Sequence, residues 1–393
     1  MEKPKIRFLK NKHSWVRNTF EEIAKRRTKS SDNPDLPRIE YQDIISGEGR
    51  LNKDLNKNID CRKGIVFETN DILYGKLRPY LKNWLHPNFN GIALGDFWVL
   101  QARNCDSKFL FSLVQSPKFQ RVANDTSGTK MPRSDWKTVS QTEFSIPTSN
   151  EEQSAIGKLF RTLDDLLASY KDNLANYQSL KATMLSKMFP KAGQTVPEIR
   201  LDGFEGEWQK YYLGDIFEQV SNYIEPSVEN ELWSLTVEKG LTPKTDRYKR
   251  DFLVKKNDKF KKVNLNEFVY NPMNLTLGAL DLNDNEVTIS VSVYYVVMKN
   301  RDIEKIDNDF LKILLKTTYA IYQYKQFATG TLIEKQRVQF PTFSEIPFYL
   351  PPIAEQQAIG SYFSNLDNLI AAHQDKILQL ETLKKKLLQD MFI

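Results

Sequence analysis

Cysteine is nearly absent from this chain: Cys61 and Cys105 are the two in 393 residues. Two thiols exclude a disulfide scaffold and a multi-cysteine metal cluster, and reduced thiols are the default expectation. Histidine is almost as scarce, with His13, His86 and His373 far apart in the sequence. No apolar run approaches the length of a membrane span. The first residues, MEKPKIRFLKNKHSW, are charged and lack the apolar stretch of a signal peptide, so a cytoplasmic chain that binds no membrane is expected. There is no glycine-rich phosphate loop, and SGEG at 46–49 reads as a bare turn. Asp96 with Asp106-Ser107-Lys108 imitates a nuclease carboxylate–lysine pattern, but among 50 acidic residues such a spacing arises by accident. Asn271-Pro272-Met273-Asn274 has part of the Asn-Pro-Pro-aromatic loop of adenine methyltransferases. It lacks the second proline and the aromatic that would stack on a flipped base, so it reads as a turn after the strand Phe268–Tyr270. No catalytic or metal-ligating residue is assigned.

What the chain does have is a duplication. The segment 151–189, EEQSAIGKLFRTLDDLLASYKDNLANYQSLKATMLSKMF, aligns without a gap on 354–392, AEQQAIGSYFSNLDNLIAAHQDKILQLETLKKKLLQDMF, with 16 of 39 positions identical. Repeats of this kind fix architecture. In each copy the apolar residues step by three and four, as in Ile156, Leu159, Phe160, Leu163, Leu167, Tyr170 and Leu174, which predicts a long helix with one apolar seam. At about 1.5 Å per residue each helix is about 57 Å long. Ser149 and Glu152 have capping-box spacing, and Pro352 precedes Glu355 at the second start. A seam needs a partner, and the most similar surface is the other copy, so antiparallel pairing within the chain is expected. The alternative is an intermolecular coiled coil. His373 takes the seam position of Tyr170 and is expected to pack rather than catalyse.

The duplication reaches the front of each half. PKIRFLKNKHSWVRNTFEEI (4–23) matches PEIRLDGFEGEWQKYYLGDI (197–216) at Pro4/Pro197, Ile6/Ile199, Arg7/Arg200, Trp15/Trp208 and Ile23/Ile216. Gly128-Thr129 and Gly330-Thr331 fall late in each half, and between these markers the halves look unrelated. The expected fold class is α+β, with two pseudo-symmetric halves. Residues 1–148 form a first mixed α/β module and 149–190 a first spacer helix; 191–350 form the linker and second module, and 351–393 a second spacer helix. Strands are expected at Ile65–Glu68, Asp71–Tyr74, Phe97–Leu100, Phe268–Tyr270 and Val287–Met298, helices at Ser107–Ala123 and Asp309–Phe327, and a hinge at 192–208.

Net charge is +6 and unevenly spread. Residues 1–29 hold ten Lys/Arg against three acids, and residues 239–262 hold the same ratio, whereas 263–309 carry eight acids and three bases. One basic patch per module suits a polyanion.

The two helix motifs, each closing in Lys-Met-Phe or Asp-Met-Phe, and the two front motifs resemble the specificity subunits of bacterial type I restriction-modification enzymes. The resemblance implies two target-recognition domains, each reading one half of a split, asymmetric site in double-stranded DNA. It implies spacer helices that act as a ruler and dock two methyltransferase subunits, with restriction subunits in the larger complex. This chain would bind no cofactor and perform no bond chemistry; S-adenosylmethionine, ATP and Mg2+ would sit on the partners. Two other functions stay open: a non-DNA coiled-coil scaffold, or a fused adenine methyltransferase or nuclease.

Base-reading residues are sought in loops that combine cations, amides and hydroxyls, because phosphate contacts position a protein and base contacts specify. In the first module these are Lys76, Arg78 and Lys82, with Thr129, Lys130, Arg133 and Ser134. In the second they are Lys244, Arg247, Lys261, Lys262, Asn271 and Asn274, with Thr331, Lys335 and Arg337. Tyr74 and Tyr270 are expected in the core.

Overall fold

The structure, a computed structural model, describes residues 4–8, 14–52, 61–125, 130–225, 227, 230–244, 259–330 and 336–392. The chain divides into two compact units, Met1–Leu174 with Ala372–Ile393, and Ala175–Ala371.

In the first unit a four-stranded antiparallel sheet runs in the order Ala24–Arg26, Phe97–Ala102, Ile72–Gly75, Trp84–Leu85. A second sheet joins Ser30–Ser31, Gly64–Phe67, Gly91–Ala93 and Arg38–Ile39. Trp15–Thr19 pairs with Glu143–Pro147, the strand that leads into the first long helix. The second unit repeats the plan. Its four-stranded antiparallel sheet has the order Phe217–Val220, Val296–Asn300, Glu267–Tyr270, Leu280–Leu282. Beside it lies a three-stranded sheet of Tyr223–Ile224, Phe260–Val263 and Ile289–Val291. Gln209–Tyr212 pairs with Pro347–Leu350 as the counterpart of the first unit's closing pair. Modules that look unrelated in sequence therefore share a topology. A buried strand requires apolar side chains that fit a pleated sheet, not particular residues, so the topology outlasts the identities.

The duplicated segments form helices Asn150–Lys187 and Ile353–Met391. Each unit contains a part of both, and in each the parts run antiparallel. In the first unit Phe160 lies 5.8 Å from Phe392 by ring centroids, Asp164 pairs with Lys384 at 2.6 Å, and Tyr170 packs on His373 at 5.3 Å. In the second, Lys181 pairs with Asp367 and Phe189 packs against Phe363 at 6.1 Å. Seam residues Ile156, Phe160, Leu163 and Leu167 enter the first unit's core with Leu380, Leu388 and Met391. Ile359, Phe363 and Leu366 enter the second unit's core with Met188 and Phe189.

The duplicated polar residues have a common task. Glu152 is fully buried and accepts two bonds from Arg7, at 2.6 and 2.7 Å, and a third from the Trp15 indole at 3.2 Å. Glu355 takes the same two bonds from Arg200, at 2.8 and 2.5 Å. A bidentate guanidinium–carboxylate pair is the geometry that compensates a buried charge. Bonding to Glu152 raises the pKa of Arg7, and bonding to Glu355 raises that of Arg200. The neighbouring Gln153 accepts from the Asp106 N–H at 2.8 Å and donates to the Pro147 carbonyl at 2.8 Å. Gln356 does the same with Asp307 and Pro351. The Glu-Gln pair thus ties each long helix to the front segment, the closing strand and a short helix of its module.

Several expectations are corrected. Ser149 does cap the first long helix, accepting from the Glu152 N–H at 3.3 Å, but the Glu152 carboxylate turns away to Arg7 and Trp15, so half of the expected box forms. The run 107–123 is two helices, Ser107–Gln115 and Pro117–Ala123, because proline holds Ser116 extended at φ −65°, ψ 150°. The run 309–327 likewise breaks into Asn308–Leu314 and Thr318–Phe327, with Thr317 extended and capping the second. Val287–Met298 is not one strand: Ile289–Val291 and Val296–Asn300 belong to different sheets. The stretch 192–208 is held at its far end rather than forming a free hinge, by the Arg200–Glu355 pair and by Trp208, which is buried.

Candidate nucleic-acid interface

An inner strand of each four-stranded sheet carries a buried tyrosine at or next to its end, Tyr74 in Ile72–Gly75 and Tyr270 in Glu267–Tyr270. Tyr74 stacks on Trp98 and Tyr270 on Phe343, so both are core residues, as expected. Immediately after each tyrosine the chain makes the same tight turn. The Gly75 N–H donates to the Asn83 carbonyl at 2.7 Å, and the Asn271 N–H donates to Ala279 at 3.0 Å. Leu81 donates to the Arg78 carbonyl and Leu277 to that of Asn274, at 2.9 and 3.0 Å. Lys82 donates to Pro79 and Gly278 to Leu275, at 2.9 and 2.8 Å. These three bonds repeat at the same spacing, which places Arg78 and Asn274 at corresponding positions, each immediately before a single 3-10 turn, Pro79–Leu81 or Leu275–Leu277, although the Asn274 N–H donates within its own turn, to the Asn271 carbonyl at 3.0 Å.

A second loop lies against each turn. The Ser134 N–H donates to the Lys76 carbonyl at 2.8 Å and the Arg78 N–H to Pro132 at 2.7 Å. In the other unit the Val338 N–H donates to the Pro272 carbonyl at 3.0 Å. Arg133 and Arg337 thereby occupy equivalent positions. The two loops selected in each module from sequence are brought together, within that module, as one surface.

The surfaces differ in electrostatics. In the first unit Asp96 lies 3.0 Å from the Arg133 guanidinium and 3.6 Å from the Lys76 ammonium, so both cations are restrained. The Tyr41 hydroxyl donates to the Asp96 carbonyl at 2.6 Å and accepts from the Leu77 N–H at 3.2 Å. Burial pushes that phenol up to about 12, so it remains a donor. Arg78 and Lys130 are exposed, and among the described residues the Arg78 guanidinium has no partner. Lys82, also exposed, closes the turn at φ 55°, where the sister turn has Gly278. In the second unit the strand position of Asp96 is taken by Tyr294, which is 80% exposed. The Asn271 side-chain oxygen accepts from the Met273 N–H at 3.0 Å and stiffens the turn. Exposed Asn274 and Arg337 have no side-chain partner among the described residues.

Not every selected residue reaches these surfaces. Ser134 is buried and donates its hydroxyl to the Ala123 carbonyl at 2.7 Å, a structural role. Lys261 is 8% exposed and its ammonium donates to the Tyr295 carbonyl at 2.6 Å; burial lowers its pKa. Lys262 is on the same strand, in the three-stranded sheet, and Lys244 follows the hairpin strand Gly240–Pro243, so neither belongs to the turn. Thr129, Arg247, Thr331 and Lys335 lie outside the described residues. Conversely, sequence reading missed exposed apolar side chains on or beside the turns: Tyr80, Leu81 and Met131 in one unit, Met273, Leu277 and Tyr294 in the other. A Tyr or Leu next to a strand reads as core until the turn is known.

Among the described residues no group of three His, Cys, Asp or Glu could hold a metal. Nor is any helix among them long and apolar enough to cross a membrane.

Residues 205–382 match the family model described as the type I restriction modification DNA specificity domain. In sequence the chain is similar to specificity subunits of type I restriction-modification enzymes, and in fold to solved structures of such subunits. The type I restriction enzyme MjaVIII specificity subunit of Methanocaldococcus jannaschii is 24% identical over 353 residues, spanning 83% of this chain and 79% of that protein. The EcoDI specificity subunit of Escherichia coli is 25% identical over 189 residues, 46% of this chain and 42% of its own length. Among solved structures, the S subunit of a type I system from M. genitalium superposes with a TM-score of 0.63 at 15% identity, over 100% of this chain and 99% of that one. A chain from a study of type I complex assembly and conformational transition gives 0.50 at 17% identity, over 95% and 96%.

Proposed function

We propose that this chain is the non-catalytic DNA reader of a type I complex, with each unit recognising one half of a bipartite, asymmetric site. One observation carries the reading: the two units build the same turn-and-loop surface and equip it with different side chains, Lys76 and Arg78 in one, Pro272 and Asn274 in the other. Equal scaffolds with unequal surfaces read unequal sequences, so the target is not a palindrome. Half-sites on one face of B-DNA lie about one helical turn apart, roughly 34–36 Å, and helices of 38 and 39 residues are long enough to set that separation. The duplicated helices offer matching surfaces for two methyltransferase subunits, to which restriction subunits add in turn. S-adenosylmethionine, ATP and Mg2+ belong to those partners, and the complex works in the cytoplasm. The names of the relatives support this reading, since they too are specificity subunits.

The test is a methylome. The chain is expressed in a methylation-free host with the methyltransferase encoded beside it, and N6-methyladenine is mapped by single-molecule sequencing. A split asymmetric motif that disappears when this chain is omitted is the expected result. Unchanged methylation, or none from a soluble complex, refutes the proposal.

A further inference from the structure

We infer that Arg78 and Asn274 are the paired specificity determinants of the two units, and that Arg78 reads a guanine in one half-site while Asn274 reads an adenine in the other. The inference rests on the DNA-reading function proposed above.

The first support is equivalence. Both residues accept, through their carbonyls, the bond that closes the same turn, and both turns are braced by the adjoining loop. Neither side chain takes part in those bonds, so a substitution at either position alters chiefly the side chain on offer. The second is availability. In the first unit Asp96 holds both Lys76 and Arg133. In the second the Asn271 amide oxygen is engaged within its own turn. Arg78 and Asn274 are exposed, and neither side chain has a partner among the described residues.

The third support is backbone conformation. Arg78 sits at φ 48°, ψ 61°, in the left-handed region that an arginine rarely adopts, whereas Asn274 is at φ −122°, ψ 11°. The difference goes with the backbone: the Arg78 N–H donates to the Pro132 carbonyl of the adjoining loop at 2.7 Å, whereas the Asn274 N–H donates to Asn271 within its own turn at 3.0 Å. Strained positions of this kind cluster where a side chain has a task. Side-chain chemistry then assigns the bases. The guanidinium fork matches O6 and N7 of guanine, and a carboxamide matches N6 and N7 of adenine, both in the major groove. The exposed Leu81 and Leu277 on the same turns offer apolar contact, suited to a thymine methyl.

The experiment uses the full chain in complex with its methyltransferase subunits. Once the wild-type motif is known, binding is measured to duplexes carrying each of the four base pairs at each motif position. Arg78→Ala is expected to flatten discrimination at one G·C pair of one half-site by about 5- to 150-fold, with the other half-site unaffected. Arg78→Lys keeps the charge but not the fork, so it retains the salt dependence and the affinity for mismatched duplexes, while affinity for the cognate duplex falls and the same discrimination is lost. Asn274→Ala is expected to flatten one A·T pair in the opposite half-site. Equal weakening on every sequence by Arg78→Ala, with restoration by Arg78→Lys, would make Arg78 a phosphate contact and overturn the inference. So would loss of discrimination at an A·T pair by Arg78→Ala, or none by Asn274→Ala. A wild-type complex that yields no split motif would overturn the DNA-reading function itself.

Discussion

The same substitution at the two duplicated glycines has different expected consequences, because the two long helices approach their modules at different distances. Gly157 and Gly360 both lie where a long helix crosses the first turn of a short one. A Cβ on Gly157 would sit 2.6 Å from the Lys108 Cβ, 2.7 Å from the Phe109 nitrogen and 2.8 Å from the Lys108 carbonyl carbon. Two of those atoms are backbone, so the helix Ser107–Gln115 would have to shift. At Gly360 the nearest atoms are the Asp307 carboxylate oxygen at 3.1 Å and the Asp309 Cβ and Phe310 nitrogen at 3.2 Å, a shortfall of a few tenths of an ångström. Glycine to alanine within a helix gains about 1 kcal/mol. Overpacking costs about 1–3 kcal/mol. Gly157→Ala should therefore lose a net of up to about 2 kcal/mol, and Gly360→Ala should fall within about 0.5 kcal/mol of the wild type. For units of this size 1 kcal/mol corresponds to about 2–4 °C in Tm. Differential scanning calorimetry of the full chain, with each variant against wild type, provides the measurement. The packing argument is refuted if Gly157→Ala melts at or above the wild-type temperature, or if Gly360→Ala loses more than Gly157→Ala.

Other outcomes follow from the same geometry. Glu152→Gln and Glu355→Gln each leave a guanidinium without its carboxylate, and each should destabilise its unit by about 2–3 kcal/mol in urea titration; a loss below about 0.5 kcal/mol would mean that solvent replaces the partner. His86 is stacked on Phe111 in a buried site, and desolvation, aided by the charges of Arg161 and Lys108, lowers its pKa from 6.5 to about 4. Its folded-state pKa is depressed, so the neutral ring's stability is present above pH 6.5 and is lost as pH falls towards 4, by about 3 kcal/mol in all. His86→Gln should flatten the stability profile across that window, and an unaltered slope would show that other groups dominate it. Cys61 is exposed, whereas burial pushes the Cys105 thiol up to about 12; a disulfide reagent should therefore titrate one thiol per folded chain and two in denaturant.

How much was legible before the fold was known differs by element. The long helices were legible nearly to the residue, since a three-four apolar seam repeated in two copies has one reading. The strand at Tyr74 and the turn at Asn271 were legible from β-branched and aromatic runs punctuated by Gly or Asn-Pro. The helical pattern of 107–123 runs across Pro117, whereas the proline divides it into two helices. The candidate surface was half legible. Its loops were chosen by composition, yet composition could not separate Arg78 from Ser134 or Lys261, whose polar atoms are taken by the Ala123 and Tyr295 carbonyls.

The sequence by itself determined the duplication, the two amphipathic helices and the resemblance to specificity subunits, because all three are patterns along the chain and need no knowledge of what lies across space. Tertiary structure decided the rest. That Glu152 faces Arg7 across 145 residues, that Asp96 restrains Arg133, and that Arg78 and Asn274 occupy one position on two copies of a turn are facts of proximity. Proximity between distant residues is set by sheet register and by backbone hydrogen bonds, whose donors and acceptors are the same in nearly every residue and therefore leave no mark on the sequence.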